Sequence, residues 1–105
     1  MSGEDRRKRI VGWLVDGVRT RLAELGESEP AEIGESTRLV GEHAVLTSLA
    51  LVSLIVEVEQ TVEDEWGAVL TLADERAMSQ QHSPFRSIGT LADYVAQLLA
   101  EQQQG

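Results

Sequence analysis

Leu46-Thr47-Ser48-Leu49-Ala50-Leu51-Val52-Ser53-Leu54-Ile55-Val56-Glu57-Val58-Glu59 is the stretch on which the fold turns. Its apolar residues are dense, and the apolar pattern continues to Val62. The β-branched Val and Ile residues would suit a strand as well as a helix. Length and flanking caps favour the helix, because the pattern runs on to about Trp66 and exceeds an ordinary strand. Thr47 is a good N-cap. The helix is therefore predicted from Thr47 or Ser48 to about Trp66. Its apolar set is wider than one stripe near the start and narrower near the end. A helix apolar on most sides at one end is packed centrally or offers a partner surface.

Upstream, Ile10, Trp13, Leu14, Val18, Leu22 and Leu25 recur at three- and four-residue spacing, which predicts a helix from about Glu4 to Leu25. Glu4 and Asp5 at its start suit the helix dipole. Gly26 ends it and Pro30 lies beyond. The loop from Glu27 to about Leu46 is long for a compact domain, and Leu39, Val40, Val45 and Leu46 are candidates to pin it to the core. Downstream, Thr71-Leu72-Ala73-Asp74 resembles a capping box and predicts a short helix. Thr90-Leu91-Ala92-Asp93 repeats that signal and predicts a last helix from Thr90 to about Gln102. Pro84 breaks any helix between them. The expected core gathers Leu14, Val18, Leu54, Val58, Leu91 and Val95, with Trp13 and Trp66 as core or rim anchors.

The whole chain has 105 residues, the length of a single domain spanning 1–105. Aromatic residues are only 4% against 42% hydrophobic residues, so the core must be aliphatic, which suits an all-α bundle. Nine Lys and Arg against 18 Asp and Glu leave a net charge of −9. That balance argues against nucleic acid, whose phosphates would be repelled, and favours basic protein partners. Cysteine is absent, which excludes disulfides and thiolate metal sites. No apolar run reaches the roughly 18–20 residues of a membrane span. The expectation is a cytoplasmic monomer without a metal.

Ser48 falls at the first turn of the apolar helix, directly after the long loop. A hydroxyl there is exposed, and a helix N-terminus favours a phosphate. Position alone leaves two readings open, an attachment point and an ordinary capping or surface residue. Leu39 to Leu54 resembles the attachment motif of acyl carrier proteins, in which Asp-Ser-Leu opens the second helix. Ser48-Leu49 matches Ser-Leu, and Thr47 stands where the family has Asp. Val52, Leu54, Val58 and Glu59 fit the family's second helix, and Thr90 to Val95 resembles its last. The resemblance implies an acyl-carrier-like four-helix bundle of three major helices and one short one. It implies that Ser48 carries 4′-phosphopantetheine, placed there by a phosphopantetheinyl transferase, and that acyl groups ride on the arm as thioesters. The connection from Trp66 to Gly89 is longer than in a fatty-acid carrier, pointing to a specialised fatty-acid, polyketide or other secondary pathway.

Between Arg38 and Arg76 there is no Lys or Arg, while eight Asp and Glu fall there, Glu57 and Glu59 among them. Such a run is a solvated face or a docking surface; its one-sidedness favours docking. The resemblance implies partners with basic patches, acyl-transferring or acyl-activating enzymes, meeting Thr47, Leu49, Val52, Val56, Glu57 and Glu59. Val52 and Val56 could equally pack in the core. No catalytic constellation emerges: Gly-x-Ser-x-Gly is missing around Ser48, and His43 and His82 stand apart. Two other readings remain, an aminoacyl or hydroxyacyl carrier, and a helical adaptor that kept the fold without the arm.

Overall fold

A computed structural model describes residues 3–26, 32–40, 44–72 and 85–104. Three helices carry the chain: α1 (Gly3–Glu24), α2 (Ser48–Trp66) and α3 (Ile88–Gln104). α1 packs against both of the others. No strand occurs among the described residues; extended pairing is limited to one antiparallel bridge, Arg38 with Ser87. The short helix expected to open at Thr71-Leu72-Ala73-Asp74 lies outside the described residues from residue 73 onward.

Each helix buries the stripe that its apolar spacing defines. Ile10, Leu14, Val18 and Leu22 of α1 meet Leu54, Val58 and Val62 of α2 and Leu91, Val95 and Leu99 of α3 in one aliphatic cluster. All six residues expected at its centre are in it, each no more than 1% exposed. Leu39 and Leu46 from the long loop are buried against it, with Val40 and Val45 partly covered. Leu25 departs from expectation: it lies just past the end of α1 and is 51% exposed. α1 stops at Glu24, and Leu25 keeps the N–H bond to the Arg21 carbonyl (3.1 Å) at the helix end while its side chain faces water.

The ends of α2 follow local chemistry. Thr47 is extended (φ −69°, ψ 164°), and its Oγ1 accepts the Ala50 N–H at 3.1 Å. At the other end Gly67 adopts φ +66°, a left-handed conformation that costs glycine little, and its N–H reaches the Glu63 carbonyl at 2.8 Å. α3 begins two residues earlier than predicted, at Ile88. Thr90 is not its cap but sits inside the first turn. Thr90 Oγ1 accepts from the Ser87 N–H (3.0 Å), and Ser87 Oγ accepts from the Thr90 N–H (3.3 Å). This is the reciprocal arrangement of a capping box.

The long loop is tied to that same end. Ile88 N–H donates to the Thr37 carbonyl (3.1 Å), Gly89 N–H to the Glu35 carbonyl (2.8 Å), and Leu39 N–H to the Arg86 carbonyl (2.9 Å). First-turn N–H groups that a helix leaves without intrahelical partners are thereby satisfied by a remote segment. Arg7 of α1 reinforces the junction, donating to Glu35 of the loop and, at 2.6 Å, to Asp93 of α3. Further along α1, the Trp13 ring lies 5.0 Å from that of Trp66. Arg9 stands over both rings and pairs with Glu65 at 2.7 Å.

Candidate functional site

The site is built around the start of α2. Buried Leu46 anchors the incoming chain. Thr47 then caps the helix, and Ser48 is its first residue. The first turn of α2 contains no acidic residue of its own.

Two apolar stripes run along α2. Leu51, Leu54, Ile55, Val58 and Val62 face the core and are buried. Leu49, Val52 and Val56, spaced by three and four residues, form a second stripe that is 81%, 54% and 44% exposed. That second stripe explains the excess of apolar residues near the start of the helix. It also decides the question left open for Val52 and Val56: both lie on the surface of α2 rather than in the core.

The acidic residues of α2 differ in their surroundings. Glu57 pairs with Arg21 at 2.5 Å and remains half exposed. Glu59 is partly buried and accepts the Leu72 N–H at 2.7 Å, fastening the segment after α2 to the helix. Glu65 is held by Arg9. Glu63 and Asp64 are exposed. Glu59 is therefore as much a structural tether as a surface charge, and the negative surface of α2 outside these pairings is at Glu63 and Asp64.

Arg21 is the residue that the sequence reading did not single out. It occupies a position of the α1 stripe, three residues past Val18 and seven past Leu14, and is only 8% exposed. Its Nη1 donates to the Gly17 carbonyl (3.1 Å) and its Nη2 to Ser53 Oγ (3.0 Å), in addition to the ion pair with Glu57. Its Nε is buried without a partner. A cation at a core-facing stripe position was the available signal: a guanidinium stays charged, so when buried it must find a carboxylate or other acceptors. Several Glu residues of α2 are candidates for that role, but which of them faces α1 depends on the packing.

Arg21 also lines a cavity of about 210 Å³ between the end of α1 and the start of α2. Leu25, Leu49 and Ala50 give it apolar walls, with Glu24, Thr47 and Ser53 completing the lining. Thr47, Leu49 and Ala50 are the chain neighbours of Ser48. Among the described residues, no group of three or more His, Asp or Glu is arranged to hold a metal ion, and no helix is long and apolar enough to cross a membrane. No family model, curated protein or solved structure matches the chain.

Proposed function

We propose that this chain is a carrier protein of the acyl-carrier type, a four-helix bundle whose short helix follows Thr71, with Ser48 bearing 4′-phosphopantetheine. The observation that carries this reading is the apolar stripe Leu49-Val52-Val56, exposed on α2 and beginning at the residue after Ser48. An unpartnered apolar stripe costs solubility and is retained where something docks. Burying these three side chains against a partner is worth on the order of 1–2 kcal/mol apiece. Glu63 and Asp64 on the same helix would steer a basic partner to it.

The residues around Ser48 fit the arm. The N-terminal dipole of α2, whose first turn carries no acidic residue, would stabilise a phosphodiester on its first residue. Thr47 caps the helix through its own hydroxyl, so the cap does not depend on Ser48. The Ser48 hydroxyl would take the phosphopantetheinyl group from coenzyme A, forming a phosphodiester as the nucleotide portion leaves and its own proton passes to the transferase. When attached, the arm supplies a terminal thiol that holds an acyl group as a thioester. Partners are the transferase and the enzymes that load and unload the thiol.

Intact mass after incubation with coenzyme A, magnesium and a phosphopantetheinyl transferase tests the reading. Wild type should gain one arm and Ser48→Ala none, with helix content equal by circular dichroism. Thr47→Asp should gain it faster, because the resemblance assigns the missing acidic side chain to transferase recognition. A wild-type chain left unmodified by every transferase tried, its own organism's included, would establish the armless adaptor instead.

A further inference from the structure

Leu25 at the end of α1 and Leu49 near the start of α2 both line the cavity of about 210 Å³ and are 51% and 81% exposed. The cavity therefore opens to solvent between two apolar side chains, and the exposed stripe of α2 continues past Leu49 onto α1. Contiguous apolar surface of this kind marks a place where a partner docks. An apolar cavity of about 150 Å³ takes up benzene, so the opening has room for one aromatic or aliphatic side chain. A side chain seated in such a pocket is where the energy of a protein contact concentrates. The lining also offers donors. Thr47 Oγ1 accepts from the Ala50 N–H and Ser53 Oγ accepts from Arg21, so each hydroxyl keeps its O–H for an incoming carbonyl oxygen.

Charge and position choose the partner. Arg21 is the cation of the lining and is matched by Glu57, so Glu24 leaves the opening negative. A second copy of this chain carries a net charge of −9 and would bring like charge to it. A protein with cations beside an apolar side chain would be drawn in. Thr47, Leu49 and Ala50 of the lining are the chain neighbours of Ser48. In the carrier reading, on which this step rests, the transferase has to bring coenzyme A to the Ser48 hydroxyl. It therefore lies over those neighbours when it acts.

We propose that the corner between α1 and α2 seats an apolar side chain of the phosphopantetheinyl transferase, with cations of the enzyme facing Glu24, so that the end of α1 belongs to the surface the enzyme reads. The test measures arm transfer from coenzyme A to the full chain, as KM and kcat for the chain. Leu25 is exposed and remote from Ser48 in sequence, so Leu25→Gln should match wild type in helix content and urea midpoint. It should raise KM about fivefold at unchanged kcat, as expected when part of one leucine's burial is lost from binding. Leu25→Met, which keeps an apolar side chain, should retain the wild-type KM. Val69→Gln should also leave KM unchanged, because Val69 is 66% exposed but lies beyond the far end of α2. Glu24→Lys should raise KM at low salt and less so at high salt. Without coenzyme A, the transferase added to isotope-labelled chain should shift the backbone amides of Leu25, Leu49 and Ala50. Transfer with equal KM for wild type and Leu25→Gln would overturn the anchor and leave the carrier reading standing. A defect in Val69→Gln as large as that in Leu25→Gln would overturn the location, and Glu24→Lys at the wild-type KM would overturn the charge match. A wild-type dimer in sedimentation that Leu25→Gln abolishes would give the corner to a second copy instead. A chain that no transferase modifies would overturn the carrier reading and this inference with it.

Discussion

A Cβ placed on Gly17 of α1 would lie 2.5 Å from Cδ1 of Leu54 on α2, closer than packed carbons approach. Leu54 is fully buried in the aliphatic cluster. Overpacking of this kind costs about 1–3 kcal/mol. Alanine is better than glycine inside a helix by about 1 kcal/mol. Gly17→Ala alone should therefore be neutral to destabilising, by about 0–2 kcal/mol. Leu54→Ala should cost about 2–5 kcal/mol through lost burial and the space left behind. In that background the obstructing Cδ1 is gone, and only the helix preference of alanine remains. Gly17→Ala should then stabilise, by about 1 kcal/mol. The two changes should couple by about 1–3 kcal/mol in favour of the double variant. Urea unfolding of the four proteins at common slope reads this directly. By heat, each kcal/mol appears as about 4–8 °C in a domain near this size. Equal effects of Gly17→Ala in both backgrounds would refute the close contact as the reason for glycine at this position.

Glu57→Lys should destabilise clearly more than Glu63→Lys in urea, because it sets a second cation against buried Arg21. The exposed Glu63 change should stay within about 0.5 kcal/mol, so a test of docking charge that must preserve the fold belongs at Glu63 and Asp64 rather than at Glu57 and Glu59. The hydrogen bond from Arg7 holds the Glu35 carboxyl below its ordinary range, with Coulombic attraction to Arg7 adding to it. A depressed folded-state value means stability present above the unfolded value and lost as pH falls. The urea-midpoint gap between wild type and Glu35→Gln should accordingly be present at neutral pH and close on acidification through and below the glutamate range; a gap independent of pH would exclude the ion pair as its origin. Thr47→Ala removes the acceptor for the Ala50 N–H and should cost about 1 kcal/mol, whereas Thr47→Asp should unfold at the wild-type midpoint.

Features governed by neighbours along the chain are legible in the sequence. The span of α2 rests on the Thr47 hydroxyl reaching three residues ahead and on a sustained apolar pattern, and both are written within one segment. The six residues of the core centre follow from helical period alone. At α3 the same kind of reading slips by one step of the capping motif. Thr90 has the chemistry of a cap, but Ser87 three residues earlier has it too. The earlier choice is reinforced by the carbonyls of Glu35 and Thr37, which lie far upstream in the chain and receive the Gly89 and Ile88 N–H groups.

The candidate site divides in the same way. Ser48 at the head of an apolar helix, and a run of acids without a cation, are properties of the sequence by itself, since cap, dipole and charge need no partner to be recognised. Which of the two apolar stripes of α2 is buried is not decided there, because Leu49, Val52 and Val56 are as hydrophobic as many residues of the core. Only the packing that draws Leu54, Val58 and Val62 into the common core leaves that second stripe in water. The pairing of Arg21 with Ser53 and Glu57, and the cavity beside it, likewise arise where two helices distant in sequence meet. Local hydrogen bonding and periodicity specify the helices; burial and ion pairing depend on distances between them, which exist only once the chain has folded.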